Sequence, residues 1–157
     1  MNAPDSLDYQ PFLDAAIAEA QQGLAEGGIP IGSVLVLNTE DGPKIVGRGH
    51  NQRVQQGSAI RHGEMDALEN AGRLTAKDYQ NSFIVTTLSP CPMCTGAILL
   101  YKIPTVVIGE NETFLGAEET LIQHGVRLVH LESEACKQMM RDFIAAKPEL
   151  WNEDIGV

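Results

Sequence analysis

The stretch SFIVTTLSPCPMCTGAILLYKIPTVVIG, residues 82–109, decides the fold. Ser82 to Leu88 is a short apolar run rich in β-branched residues, which predicts a strand. Met93 to Tyr101 follows Pro92 and reads as a helix. Thr105 to Gly109, TVVIG, is a second strand. Strand, helix and strand in succession set a helix layer against a sheet.

The same alternation continues on both sides. Leu13, Ile17, Ala20 and Leu24 fall on one face of a helix. Gly27-Gly28 stops that helix, because glycine tolerates the left-handed conformation found after helix ends. Ile31 to Asn38 and Lys44 to His50 read as strands, joined into a hairpin by a turn at Asp41-Gly42-Pro43. Gly63 to Gly72 carries Met65, Leu68 and Ala71 at helical spacing. Farther on come a short helix at Glu118–Gln123, a strand at Val126–Leu131, and a helix from Ser133 to Lys147 that ends before Pro148. Five strands and five helices predict an α/β fold, one sheet covered on both faces.

The chain has 157 residues, 43% of them hydrophobic and 20% charged, which fits one domain over 1–157 with a real core. Its formal net charge is −10, which argues against a polyanionic partner, since phosphate contacts need clustered Lys and Arg. No run approaches the ~20 apolar residues that span a bilayer. The opening MNAPDSLDYQPF lacks the basic and apolar blocks of a secretory signal. Cys91, Cys94 and Cys136 are too few for a disulfide framework, so a reducing cytoplasm is expected.

Chemistry concentrates at two helix starts, His62-Gly63-Glu64 and Pro90-Cys91-Pro92-Met93-Cys94. Two thiolates and an imidazole suit Zn²⁺, and three protein ligands leave a fourth tetrahedral position for water or hydroxide. The C-x-x-C spacing puts both sulfurs on the first turn of a helix, where the dipole and free N–H groups favour thiolate. Glu64 lies beside such a metal and can move protons between water, a ring nitrogen and a leaving amine. H-x-E…P-C-x-x-C is the known signature of zinc deaminases. A C-x-x-C after a strand also fits a thioredoxin-like redox pair, and a structural zinc site would need a fourth ligand, for which Cys136 is the candidate. His62 and Glu64 favour the deaminase over both. Cys136 reads as a buried thiol, Met139-Met140 as core, and His50, His124 and His130 as surface or packing residues.

Beyond the zinc motif the chain resembles the yeast-type cytosine deaminase family of the cytidine-deaminase-like superfamily. The matching segments are GGIPIG (27–32), GRGHNQR (47–53), HGEMDALENAGRL (62–74), TTLSPCPMCTGAI (86–98), IGENETF (108–114) and WNEDIG (151–156). The resemblance implies a three-layer α/β/α sandwich with a five-stranded mixed sheet, a homodimer, and hydrolysis of free cytosine to uracil and ammonia. Carried over by position, His62, Cys91 and Cys94 would bind one zinc per chain, and Glu64 would shuttle protons. Asn51 and the Gly63 N–H would hold the 2-oxo group. The Ser89 carbonyl would take the amino group, and Asp154 the ring N1–H. Phe114 and Trp151 would wall the ring, with Ile31 and Leu88 nearby and Trp151 to Asp154 forming a lid. Val54 departs from the family, standing where the yeast form has a bulkier aromatic; Ser33 also departs, and the hairpin turn is longer here.

Rival readings are deamination of guanine, isocytosine or a triazine, and, from another class, a non-catalytic zinc or redox module. A tRNA or single-stranded DNA editor fits less well, because it wants a basic groove.

Overall fold

Side-chain alternation along the strands sorts the core onto two faces of one sheet. This computed structural model describes residues 7–157, so the reading of residues 1–6 as free of a secretory signal lies outside the described residues. Five strands, β1 (Gly32–Thr39), β2 (Gly42–His50), β3 (Ser82–Thr86), β4 (Thr105–Ile108) and β5 (Arg127–His130), lie in the order β2-β1-β3-β4-β5. The β2–β1 and β1–β3 pairs are antiparallel, and β3–β4 and β4–β5 are parallel. The expected mixed sheet is present.

Val34, Val36, Phe83, Val85 and Val107 face Leu13 and Ala16 of helix α1 (Gln10–Ala25). Leu35, Ile84, Val106 and Ile108 face the other way, onto Ile98 and Leu121. Those two residues belong to α5 (Pro92–Leu100) and α6 (Glu118–Gln123). Cys136, on α7 (Glu134–Ala146), joins the first face. This is the three-layer α/β/α arrangement. Each fully buried aliphatic or aromatic side chain contributes about 1.5–3 kcal/mol.

Three details differ from expectation. Gly42 and Pro43 are not the hairpin turn; they pair with Thr39 and Asn38 inside β2. The chain reverses at Glu40-Asp41, where the Thr39 hydroxyl donates to the Gly42 carbonyl at 2.6 Å and accepts the Asp41 N–H at 3.2 Å. Proline is tolerated there because β2 is an edge strand. Three further short helices appear among the described residues: α2 (Arg53–Gln56), α4 (Ala76–Gln80) and α8 (Pro148–Asp154). The C-terminal segment read as a lid is this last helix.

The remaining helix, α3 (Gly63–Ala71), lies unusually close to β2. A Cβ on Gly49 would sit 2.4 Å from the Ala67 backbone nitrogen, and one on Gly47 2.3 Å from the Ala67 carbonyl oxygen. Only glycine permits that approach. The ends of β2, β3 and β4 and the start of β1 share one edge of the sheet. That edge, outside the carboxyl ends of parallel strands, is where open α/β sheets hold ligands.

Candidate active site

Two helix N-termini meet at this edge. His62 is the N-cap of α3 and Cys91 the N-cap of α5, both in extended conformation, with Cys94 buried in the first turn of α5. One ligand atom from each of His62, Cys91 and Cys94 lies within 4.8 Å of the others. The Cys91 Sγ to His62 Nδ1 distance is 3.5 Å, about what zinc–sulfur and zinc–nitrogen bonds of ~2.3 and ~2.0 Å give for one edge of a tetrahedron. The other ring nitrogen, Nε2, stands 3.3 Å from Asp154 Oδ1. An imidazole with one nitrogen toward the metal position and the other toward a carboxylate is the usual arrangement of a metal-bound histidine. The donor set therefore fits zinc.

The electrostatics agree. A hydrogen bond from Cys94 holds the Cys91 thiol down at about 4 against the effect of burial, with His62 adding to it. Cys94, as the donor in that bond and itself buried, is held well above the usual thiol value. The pair thus shares one proton, and a divalent cation between the sulfurs removes it. For His62, burial lowers the pKa, yet Cys91, Asp154 and Glu64 together raise it. Burial pushes the Glu64 carboxyl up to about 7, against the pull of His62. Asp154 is also raised by burial, with His62 and Asn51 opposing.

A small cavity adjoins this cluster, lined by Ile31, His62, Glu64, Leu88, Ser89, Cys91, Phe114, Trp151, Asp154 and Ile155. Phe114 and Trp151 meet edge to face, centroids 5.8 Å apart. Asn51, fully buried, stands behind Asp154 and donates Nδ2–H to its Oδ1 at 2.8 Å. Its Oδ1 accepts the Arg53 N–H at 3.0 Å. Gly63 is buried, and a Cβ there would come 3.0 Å from the Ile31 carbonyl oxygen. Every site residue named from the sequence is thus at this edge, though Asn51, Gly63 and Cys94 do not line the cavity. Val54 does not line it either; it is exposed on α2, beside Leu150 and Glu153. Cys136 packs into the core beneath α1 and α7, and burial pushes its thiol up to about 11.

Several polar residues behind the cavity escape a reading of the sequence. Glu118 is buried; it accepts from the Ser89 hydroxyl at 2.5 Å and pairs with His130 at 2.7 Å. Glu110 is buried and takes the N–H groups of Glu112 and Thr113 at 2.9 and 3.0 Å, shaping the loop that leads to Phe114. His50 is a buried packing residue, as one of the two expected roles has it, but its partners are not legible: Glu19 and Glu26 each hold one ring nitrogen at 2.8 Å. Asp66 is the fourth of this kind. Ile155 is the one cavity-lining residue that was not anticipated.

Residues 7–110 match the cytidine and deoxycytidylate deaminase zinc-binding region. The chain is 52% identical to the cytosine deaminase of Candida albicans over 151 residues, 96% of this chain and 99% of that one. It is 38% identical to a tRNA-specific adenosine deaminase of Streptococcus pyogenes over 122 residues, 76% of this chain and 74% of the other. Among solved structures, one from a study of A-to-I editing by tRNA:A34 deaminases superposes with a TM-score of 0.70 at 24% identity. It covers 83% of this chain and 99% of its own, a likeness of fold. With its His62, Cys91 and Cys94 donors in place, the chain belongs to the cytidine and deoxycytidylate deaminase zinc-binding family.

Proposed function

We propose that the protein hydrolyses free cytosine to uracil and ammonia as a single zinc-dependent deaminase domain. The observation that carries this reading is the Asp154 carboxylate, buried at the cavity wall between the Asn51 amide and His62 Nε2. It offers an acceptor to a ring N1–H, which a free base has and a nucleoside lacks.

His62, Cys91 and Cys94 would hold zinc, which would supply Lewis acidity and lower the pKa of water toward ~7. Glu64 takes one proton from the attacking water and gives it to N3, then takes the second from the hydroxyl now on C4 and gives it to the amine, which leaves as ammonia. Asn51 and the Gly63 N–H hold the 2-oxo group; at the first position of α3 that N–H has no partner within the helix. The Ser89 carbonyl accepts from the amino group, and Asp154 from N1–H. Phe114 and Trp151 wall the ring, Ile31 and Leu88 complete the apolar lining, and together they keep bulk water from the reaction.

The test is ammonia release by zinc-loaded protein with cytosine, cytidine, guanine, adenine, isocytosine and ammelide, a triazine. Cytosine is expected to react and cytidine not. Turnover of guanine or the triazine instead overturns the assignment of the base. Zinc binding without any turnover favours a non-catalytic module. The relatives that act on tRNA do not alter this reading, because the net charge of −10 opposes a nucleic-acid partner.

The same reading makes the enzyme a homodimer. Helix α5, PMCTGAILL, is apolar on all sides, the composition of a helix covered all round. Yet Leu100 is 70% exposed and Ile122, on neighbouring α6, 61%. Sedimentation is expected to give about twice the chain's 17.0 kDa, and a monomer at micromolar concentration overturns the dimer. Among the described residues no helix is long and apolar enough to cross a membrane. Three cysteines, two of them placed as metal ligands, suit a reducing cytoplasm; a Cys91–Cys94 disulfide in protein isolated without reductant argues against it.

A further inference from the structure

The base pocket forms only if two segments arrive together. The end of β2 delivers Asn51, and the start of α3 delivers His62, Gly63 and Glu64. Where α3 crosses β2, Gly47 and Gly49 let its backbone pack directly on the strand. Directional hydrogen bonds add to that packing at the ends that lead into the pocket.

One carboxylate spans the junction. Asp66, 2% exposed, accepts the His50 backbone N–H on Oδ2 at 2.9 Å and Arg61 Nε–H on Oδ1 at 2.5 Å. His50 immediately precedes Asn51, and Arg61 immediately precedes His62. Both oxygens are therefore committed outside the helix, to the residues leading into the two halves of the pocket. The Gln52 N–H adds a parallel tie to the Arg61 carbonyl at 2.9 Å. Asn70, one turn on, reaches back to the Arg48 carbonyl at 2.7 Å.

We infer that Asp66, held by Arg61, is a positioning residue for the deamination, setting the distance from the Asn51 amide to the His62–Glu64 start of α3. The inference rests on the reading of Asn51 as a holder of the pyrimidine oxo group. It differs from a merely stabilising buried ion pair in one respect. Its contribution to rate exists only while Asn51 has an amide to place.

Asp66→Ala and Asn51→Ala, made singly and together in the zinc-loaded enzyme, separate the two roles. With Asn51 present, Asp66→Ala is expected to lower kcat/KM about 10- to 100-fold, the scale of an ångström's misplacement. In the Asn51→Ala background the same change is expected to cost less than about threefold, since coupled residues are non-additive. Equal losses in both backgrounds overturn the inference. Arg61→Leu, at a partly exposed side chain, removes one arm of the bridge and gives the same pattern on a smaller scale. It decides the question if Asp66→Ala fails to fold. If the wild-type protein deaminates another base of the panel, the cytosine reading falls and the same cycle, run with that base, still decides the inference. A wild-type protein that deaminates none of them overturns both.

Discussion

Glu64→Gln is expected to retain its full complement of zinc while losing about 10²–10⁴-fold in kcat, the range for removal of a general acid–base. Glu64 is 4% exposed and lines the cavity, yet it lies outside the cluster of three ligand atoms. Glutamine keeps its shape and hydrogen-bonding length but cannot take up a proton. The reaction needs a group that accepts and hands on protons in turn, and burial raises this carboxyl to about 7. A cation beside it favours the ionised form, which is the form needed to start. The assay is ammonia release together with zinc per chain by elemental analysis. A glutamine variant as fast as the wild type removes Glu64 from the proton path.

The second large effect concerns N1. Wild-type enzyme is expected to turn over 1-methylcytosine about 10⁴–10⁵-fold less efficiently than cytosine, because a site built around a buried acceptor is left unpaired by an analogue without the donor. Asp154→Ala should lower activity on cytosine and shrink that gap to below about 100-fold. This substitution also frees His62 Nε2, 3.3 Å from Asp154 in the native site. Loss of such an outer carboxylate typically weakens metal binding ~10–100-fold, so the comparison is made in excess zinc. Similar wild-type rates on both bases would dismiss Asp154 as the N1 acceptor.

The metal half of the site was legible because its geometry is local. Cys91 and Cys94 share the first turn of α5, and His62 and Glu64 share the start of α3, so spacing alone brings the groups to two helix ends. The strands were legible for a similar reason: SFIVT and TVVI are buried along their whole length and read as apolar runs. The short helices were less so, although signals existed. Thr75 and Asp78 form a capping box at α4, and Pro148 both ends α7 and opens α8. Asp66, Glu110, Glu118 and His50 carried no such signal. An acid in the first turn of a helix ordinarily serves the dipole in solvent, and nothing near Asp66 announces that β2 will meet it. The pairing of His50 with Glu19 spans 31 residues and that of Asn51 with Asp154 spans 103. These contacts are products of the finished topology.

Helix α8 has a consequence for how such an enzyme changes over generations. The stretch shared with the wider family, residues 7–110, contains the zinc ligands and Glu64 but stops short of Phe114, Trp151 and Asp154. Asn51, Gly63 and Ser89 lie inside that stretch, so on the proposed reading only part of the choice of molecule, that made at Phe114, Trp151 and Asp154, lies outside it. On that reading a mutation within Pro148–Asp154, other than at Asp154 itself beside His62 Nε2, alters what is admitted while the zinc ligands and Glu64 stay in place.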